Sequence, residues 1–282
     1  MKKTILITGI KGFLASNLIT LLAKDYMLYG IGKKQEFQSN LQIFSSEEIE
    51  KIEIVPDFII VCHAAISSGQ TVLDNETLFE VNVRITEQLV TKFSNSKIIY
   101  ISTVSIYDVT SNLIYENSNC NPQSEYAISK LWAEKVIFKS SNAVCLRLSS
   151  LFGIRMKENT ILPIYVNQAI VNGKIEVWGD GKRKQNYIYV LDACEYIRTI
   201  IDKFDIVKGK VLLGVNNKEF SNLELAEIIT EFTKAEILFK KDDKAISFQY
   251  NNDLTCQLLD FIPSSEFKVE LQNYIIWKQK QY

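Results

Sequence analysis

Short apolar runs alternate with longer segments of helical periodicity through the first half of the chain. The runs predict buried strands at 4–8, 27–31, 58–61, 97–101 and 143–148, and the segments predict helices at 13–23, 77–93 and 123–138. Short apolar strands separated by helices are typical of a parallel sheet that is covered on both faces. The pattern therefore predicts an α/β fold, a doubly wound parallel sheet of the Rossmann type.

The pattern loosens after about residue 155. Helices are predicted at 160–171, 191–201 and 221–232, short strands at 175–177 and 211–215, and a polar turn at 179–184. Ser221 and Glu224 form a capping-box pattern at the start of the last helix. We expect these segments to build a smaller α/β C-terminal lobe.

Composition narrows the possible functions. The 282 residues include 32 basic and 33 acidic side chains, a net charge of −1, and no apolar run reaches about 18 residues. Nothing in this balance favours binding to nucleic acid or to a membrane. His63 is the only histidine, so no metal site with several His ligands is expected. The five dispersed cysteines fit reduced thiols in a cytoplasmic protein.

A glycine-containing turn joins the first predicted strand to the first helix. It contains Gly9, Lys11 and Gly12, and Phe13 and Leu14 begin the helix. Gly9 permits a tight turn, Gly12 lets the backbone approach a pyrophosphate, and the helix N-terminus offers free N–H groups to the phosphates. Because the turn follows the first strand of a βαβ unit, we expect it to bind a dinucleotide.

The end of the second strand is expected to meet the adenosine ribose of that dinucleotide. NAD-binding proteins usually place an acidic residue there, which accepts a hydrogen bond from the 2′-hydroxyl. This chain has Lys33 and Lys34 instead, and Lys11 adds a cation nearby. The lysines suit a 2′-phosphate and favour NADP(H) over NAD(H). The alternative is that both are solvated loop charges.

These patterns divide the chain into two domains. We expect the dinucleotide-binding domain to comprise 1–160 and about 186–205, because it holds the glycine turn and the predicted parallel strands. The remaining segments, about 161–185 and 206–282, are expected to form the substrate-binding lobe.

A second set of candidate residues lies further along the first domain. Tyr126 and Lys130 are four residues apart on a predicted helix and so share one face. A nearby ammonium lowers the pKa of a phenol and makes it usable as an acid or base near neutral pH. Upstream, Thr103 and Ser105 offer hydroxyls at a strand's carboxyl end, where open α/β sheets bind ligands.

The order of these motifs resembles that of extended short-chain dehydrogenases/reductases of the NAD-dependent epimerase/dehydratase family. The resemblance covers about residues 4 to 232. The matching motifs are Thr8-Gly9-x-x-Gly12-Phe13, Ala64-Ala65, Asn82-Val83, Ser102-Thr103-x-x-Ile106-Tyr107, Tyr126-x-x-x-Lys130, Leu146-Arg147, Phe152-Gly153, Gly179-Asp180-Gly181 and Tyr189-Val190-x-Asp192. Family members usually transfer a hydride between a nicotinamide and a sugar carbon of a nucleotide-activated sugar.

The resemblance implies a role for each candidate. Tyr126 would be the catalytic acid/base, Lys130 would lower its pKa and bind the nicotinamide ribose, and Thr103 would hydrogen-bond the reacting oxygen. The remaining cofactor contacts would come from Gly9, Gly12, Phe13, Leu14, Ala64 and Ala65. The substrate would meet Thr103, Ser105, Tyr126 and Ser150. The family's diphosphate-binding Arg is missing before Tyr-Val-x-Asp. Arg183, Lys184 or Arg155 could supply the lost charge, and the alternative is that 182–184 form only an exposed turn.

Departures from the family pattern narrow the reaction. Dehydratases of the family follow the catalytic Thr with Asp-Glu, where this chain has Val104 and Ser105. Family enzymes that invert carbons beside a ketone use a Cys at the Ser105 position and a second His, which this chain lacks. Reduction of a 4-keto sugar and 4-epimerisation remain.

The predicted cofactor separates these two reactions. A reductase has net turnover and favours NADPH, whereas a 4-epimerase keeps its cofactor bound, usually NAD. We therefore favour an NADP(H)-dependent 4-keto reductase of a nucleotide-activated deoxysugar, with an NAD-dependent nucleotide-sugar 4-epimerase as the alternative. A non-catalytic cofactor-binding protein is a third hypothesis, which the intact catalytic set disfavours. Because family members commonly dimerise through the helices predicted at 77–93 and 123–138, we also expect a homodimer.

Overall fold

The computed structural model describes residues 2–34, 36–38, 41–66, 72–108, 113–240, 243 and 246–282. Its strands are β1 (Thr4–Thr8), β2 (Met27–Gly32), β3 (Glu36–Gln38), β4 (Leu41–Ser45), β5 (Phe58–Val61), β6 (Lys97–Thr103), β7 (Leu113–Ile114), β8 (Ala143–Leu148), β9 (Ser150–Phe152), β10 (Lys174–Trp178), β11 (Lys184–Tyr189), β12 (Val211–Gly214), β13 (Glu219–Ser221), β14 (Glu236–Lys240) and β15 (Gln249–Tyr250). Its α-helices are α1 (Phe13–Leu22), α2 (Asn75–Phe79), α3 (Ile85–Lys92), α4 (Glu125–Ile137), α5 (Ile161–Asn172), α6 (Val190–Asp202), α7 (Phe204–Val207), α8 (Asn222–Thr233), α9 (Asp253–Leu259) and α10 (Phe267–Gln279).

An eight-stranded sheet forms the centre of the fold, in the order β12-β8-β6-β5-β1-β2-β4-β3. Seven of these strands are parallel, and β3 pairs antiparallel with β4 at the edge. The chain starts in the middle, at β1, and builds the sheet outward on both sides. This topology confirms the predicted doubly wound Rossmann-type fold. It also places the point where the strand order reverses between β1 and β5, which is where such sheets bind ligands.

Side chains alternate between two cores on the faces of this sheet. In β1, Ile5 and Ile7 pack into the cluster that includes α1 and α6, whereas Leu6 packs into the cluster on the side of α3 and α4. All three side chains are fully buried. Both faces of β1 are therefore buried, as expected of a parallel strand covered by helices on both sides.

The helix predicted at 77–93 consists of three parts. The short helix α2 is followed by a π-helical turn, Glu80–Arg84, and then by α3. A π-helical turn inserts one residue into the helical repeat, and such turns are frequent at functional sites. Here the turn carries Asn82, which is buried and faces the loop after β5.

The connection between β2 and β4 is unusually short for neighbouring parallel strands, which usually need a crossover of a dozen or more residues. The chain leaves β2 at Gly32, forms the edge strand β3 and returns directly as β4. The sequence pattern did not predict this hairpin. The short connection leaves Lys33 and Lys34, both exposed, at the carboxyl end of β2.

A smaller lobe packs around its own apolar cluster. The cluster joins residues of α5, α8 and α10 with strands β10 and β11, and Phe267 stacks on Phe220 at a centroid distance of 4.0 Å. The predicted capping box is present at α8, where Ser221 and Glu224 each accept a hydrogen bond from the other's backbone N–H.

The C-terminal segments do not all lie in this smaller lobe. β12 pairs with β8 along the large sheet, with Val211 opposite Cys145, and Leu259 of α9 joins the core on the α1 and α6 side. The sequence pattern placed both segments in the substrate lobe, because a lone strand carries no signal for which sheet it joins. The exact division into a dinucleotide-binding and a substrate-binding part stays a prediction.

No helix within the described ranges is long and apolar enough to cross a membrane.

Candidate active site

The glycine turn after β1 packs directly against the end of β5. Gly9 has a φ of +64°, and its N–H donates to the carbonyl of Ile31 at 3.0 Å. A Cβ on Gly9 would lie 2.8 Å from His63 Cα, which is closer than a side chain can approach. Gly12 N–H closes the turn on the Gly9 carbonyl at 2.7 Å. Both the positive φ and the close approach therefore require glycine at position 9.

The first turn of α1 is open to an anion. Gly12 is the N-cap residue, no side chain caps the helix, and its first turn holds no acidic residue. The unpaired N–H groups and the helix dipole of such an end attract phosphate. The side chain of Leu14 is buried in the core, whereas that of Phe13 is partly buried and packs against it. The cradle fits a dinucleotide pyrophosphate.

His63 lies beside this turn as a neutral side chain. Thr8 Oγ1 accepts hydrogen bonds from the N–H groups of Cys62 and His63, so its own proton is directed to His63 Nδ1, at 2.7 Å. Burial and the charge of Lys130 lower the pKa of His63 to about 3. A hydrogen bond to the Val81 backbone raises this pKa but does not offset them. The imidazole is therefore uncharged at neutral pH, and its hydrogen bond with Thr8 ties the segment after β5 to β1.

Asn82 joins the cofactor side of the site to the catalytic helix. Its side chain pairs with both the N–H and the carbonyl of Ala65, at 2.8 and 3.0 Å, and donates to Ser129 Oγ at 2.9 Å. Ser129 in turn donates to the Tyr126 carbonyl at 2.8 Å. Asn82 belongs to a family motif, but its role could not be predicted from the sequence, because a contact across two elements leaves no local pattern.

Tyr126 lies in the first turn of α4, which begins where Ser124 Oγ accepts from the Ala127 N–H. Burial raises the pKa of Tyr126 to about 12, and a hydrogen bond with Thr103 opposes that rise. The expected lowering by Lys130 is not found, because only burial and the hydrogen bond with Thr103 shift this pKa. Tyr126 is therefore protonated at neutral pH, as a proton donor must be.

Lys130 is almost entirely buried, one helical turn beyond Tyr126. Its ammonium donates to the carbonyl of Ile101 in β6, at 2.7 Å. Burial lowers the pKa of Lys130 to about 8, because desolvation disfavours the charged form. The structure thus brings Thr103, Tyr126 and Lys130 together where β6 ends and α4 begins.

A cleft of about 300 Å³ opens beside this set. It contains the predicted substrate residues Ser105, Ser150 and Arg183, and Thr103 Oγ1 donates to Ser105 Oγ at 3.1 Å. Its other wall includes Phe248 and Tyr250 from a distant segment, which sequence analysis missed because nothing near them in the chain marks a site. Among its described lining residues there is no carboxylate.

Arg183 differs from its neighbours in the predicted polar turn. Lys182 forms an exposed ion pair with Asp180, whereas Arg183 lines the cleft and its Nε is buried without a hydrogen-bond partner. A buried guanidinium nitrogen left unpaired is costly unless a ligand completes it. The side chain is placed to meet an anion in the cleft.

The lysine pair lies elsewhere in the site. Lys33 and Lys34 do not line the cleft, and they follow the end of β2, where Ile31 holds the glycine turn through Gly9. No group of three or more His, Cys, Asp or Glu residues that could hold a metal ion occurs in the described part of the chain.

The fold and these residues define a dinucleotide-binding α/β protein with a Tyr/Lys pair at the carboxyl edge of its sheet. A sequence profile of the NAD dependent epimerase/dehydratase family matches residues 5–214. The chain therefore belongs to the NAD-dependent epimerase/dehydratase family, as its motifs predicted. Proteins of this family bind a nicotinamide cofactor and modify nucleotide sugars.

Relatives with different activities are similar to this chain. The dTDP-D-glucose 4,6-dehydratase of Dictyostelium discoideum is 28% identical over 80% of this chain, and the alignment spans only 61% of that protein. The GDP-6-deoxy-D-talose 4-dehydrogenase of Aggregatibacter actinomycetemcomitans is 22% identical over 85% of this chain and 83% of that protein. The UDP-glucuronic acid 4-epimerase of Bacillus cereus, solved with NAD, superposes with a TM-score of 0.87 at 19% identity, covering 99% of this chain and 97% of that one.

Substitution of Gly9 by Ala should weaken binding of the nicotinamide cofactor by at least about tenfold and lower the melting temperature, because the new Cβ would push the turn away from His63. Gly173→Ala is the matched control, since Gly173 has a φ of +63° but a Cβ added there would meet no atom within 4 Å. Cofactor titration by fluorescence and thermal unfolding measure both effects. Equal behaviour of the two variants would show that the close approach to His63 does not matter.

Proposed function

We propose that the protein is an NADP(H)-dependent 4-keto reductase that acts on a nucleotide-activated deoxysugar. The observation that carries this proposal is the exposed pair Lys33 and Lys34 at the carboxyl end of β2, where a cofactor with a 2′-phosphate would need positive charge. The activity, the cofactor preference and the residue roles below are parts of the same proposal.

The catalytic set supplies what ketone reduction requires of the protein. When bound, a nicotinamide cofactor would supply the hydride that C4 of the sugar receives, and the Gly9–Gly12 turn and Lys130 would hold it. Tyr126 donates its phenolic proton to the carbonyl oxygen. Thr103, which is hydrogen-bonded to Tyr126, would turn its hydroxyl proton from Ser105 to the same oxygen. Lys130 stabilises the tyrosinate that remains and orients the nicotinamide ribose. Since the pKa of Tyr126 is raised to about 12 before substrate binds, the proton is present at neutral pH.

The cleft argues against dehydration. Elimination of water from a sugar needs a second acid or base beside the tyrosine, and family dehydratases use carboxylates directly after the catalytic Thr. Here those positions are Val104 and Ser105, both of which line the cleft, and no described lining residue is acidic. The similarity to a 4,6-dehydratase therefore supports the nucleotide-sugar substrate and the fold more than the reaction.

The substrate end of the cleft fits a nucleoside diphosphate. Arg183 offers a guanidinium whose Nε is buried and unpaired, and arginine binds phosphate through two parallel hydrogen bonds. Ser105 and Ser150 offer hydroxyls for the sugar, and Phe248 offers an apolar surface for the base. The 4-dehydrogenase of a GDP-6-deoxy sugar among the relatives supports redox chemistry at C4 of a deoxysugar.

A nucleotide-sugar 4-epimerase is the second candidate. The fold neighbour that is an epimerase was solved with NAD, and the Tyr/Lys pair would serve oxidation and re-reduction equally well. An epimerase would retain its cofactor through purification, whereas a reductase exchanges it at every turnover.

We also propose that the protein works in the cytoplasm. Nucleotide sugars and nicotinamide cofactors are cytoplasmic metabolites, and all five cysteines are free thiols.

We also propose a homodimer formed by α4 and the helical segment α2–α3. Ile128 and Trp132 are 49% and 54% exposed on α4, and Phe79 packs edge-on against Trp132 at 5.2 Å. Large exposed apolar side chains grouped on one helix pair are typical of a protein interface.

The wild type should bind NADPH more tightly than NADH, and Lys33→Ala should reduce NADPH affinity about tenfold with little effect on NADH, because only NADPH carries the 2′-phosphate. Lys208→Ala is the control, since Lys208 is exposed at the opposite end of the sheet, before β12. Fluorescence titration of both cofactors measures this. Tighter NADH binding by the wild type, or NAD that co-purifies at one per chain, would favour the epimerase.

Tyr126→Phe should lower turnover at least about 10²-fold, the scale of general acid catalysis, while cofactor affinity stays within about twofold. The assay follows NADPH oxidation with a nucleotide-4-keto-6-deoxyhexose. Tyr115→Phe, at a half-exposed tyrosine outside the cleft, should behave as wild type. Undiminished turnover by Tyr126→Phe would remove Tyr126 from the mechanism.

Sedimentation velocity should give a species of twice the 32.3 kDa chain mass for the wild type and the single chain mass for Trp132→Glu. A charge placed at the centre of an apolar interface cannot be desolvated cheaply. Leu254→Glu, at another exposed apolar residue away from α4, should remain dimeric. A monomeric wild type would contradict the proposal.

A further inference from the structure

The buried lysine of the catalytic set rests on an aromatic ring. Lys130 Nζ lies 4.1 Å from the ring centroid of Tyr100, and the two side chains are 2% and 0% exposed. Tyr100 is in β6, directly before Ile101, whose carbonyl accepts the one hydrogen bond of Lys130 described above. A cation within about 6 Å of a ring face is attracted by the electron density of the ring, most strongly where water is excluded.

The nearest carboxylate is committed to another cation. Glu134, one turn beyond Lys130 on α4, binds Arg147 through both oxygens, at 3.0 and 2.7 Å. It favours the charged form of Lys130 at a distance but makes no hydrogen bond to it among the described contacts. A buried ammonium needs compensation close by, because burial removes its solvation.

The other titratable groups around Lys130 are neutral near pH 7. Burial raises the pKa of Cys62 to about 12 and raises that of Cys145, and it lowers the pKa of His63 to about 3. Tyr126 keeps its proton for the same reason. The face of Tyr100 and the carbonyl of Ile101 are therefore the groups in direct contact that stabilise the charge.

The hydroxyl of Tyr100 makes no contact that would stabilise the site. It is buried and has no hydrogen-bond partner. An unpaired buried hydroxyl lowers the stability of the folded protein. Any stabilising contact of the Tyr100 side chain with Lys130 therefore comes from its ring.

We infer that Tyr100 is a positioning residue for the nicotinamide site: its ring face, and not its hydroxyl, keeps the Lys130 ammonium charged and aimed at the cofactor. This inference rests on the proposed role of Lys130 in binding the nicotinamide ribose. Tyr100 touches neither cofactor nor substrate and acts only through Lys130.

The test is the pH dependence of NADPH affinity, measured by cofactor fluorescence from about pH 6 to 10 without substrate. In the wild type, affinity should fall as the pH rises through the pKa of Lys130, since only the ammonium donates all its hydrogen bonds. Tyr100→Phe keeps the ring and should reproduce this profile. Tyr100→Leu loses the ring, so the fall should move to lower pH by about one unit. Lys130→Met should bind NADPH weakly, and its affinity should not fall over this pH range. That result would assign the pH dependence of the wild type to Lys130.

Fluorinated phenylalanines at position 100 separate electrostatics from packing. They preserve the ring's shape while withdrawing the electron density of its face, so each added fluorine should move the fall further toward low pH. This series also serves if Tyr100→Leu fails to fold. A profile that ignores fluorination, or a Tyr100→Phe variant as impaired as Tyr100→Leu, would overturn the inference. A wild type that binds neither NADPH nor NADH would instead refute the proposed function.

Discussion

The packing of helix α4 across strands β6 and β8 is the constraint on which the rest of the site depends. Two buried charges cross this interface. Lys130 reaches the Ile101 carbonyl and the Tyr100 ring, and Glu134 holds Arg147 through two hydrogen bonds. Charges are expensive to bury, and they remain only where geometry compensates each of them. These contacts set the position of the helix along the sheet, and the helix carries Tyr126 to Thr103.

A second set of contacts fixes the glycine turn after β1 relative to helix α4. Gly9 lets the turn after β1 approach the backbone of His63 in the segment after β5, closer than any side chain would permit. Asn82 then holds Ala65, just beyond, and reaches Ser129 on α4. The glycine turn, the end of β5 and the catalytic helix thus form one connected frame. Such a frame can hold a hydride donor and a proton donor on the same carbonyl group without rearrangement.

The fold by itself does not distinguish among the reactions of this family. Family relatives with the same fold carry out dehydration, dehydrogenation and epimerisation. In the proposed function this frame provides the acid and the cofactor cradle that all these reactions share. Differences would come from positions such as Val104 and Ser105, which line the cleft, and Lys33, which lies outside it. This is why fold similarity leaves the reductase and the epimerase to be separated by experiment.

The sequence by itself determined the architecture and the shared chemistry. Apolar periodicity located β1, β2, β5, β6 and β8, because local burial patterns depend on near neighbours in the chain. It did not reveal β3 and β4. The spacing of Gly9 and Gly12, and of Tyr126 and Lys130, identified the family for the same reason.

Only the tertiary structure decided what depends on distant partners. It joined β12 to the large sheet, brought Phe248 and Tyr250 to the cleft, and set Asn82 between Ala65 and Ser129. It also buried Tyr126, which raises the pKa of its phenol where the sequence led us to expect a lowering. Burial and contacts between remote segments arise from the whole packed chain, and no local spacing encodes them.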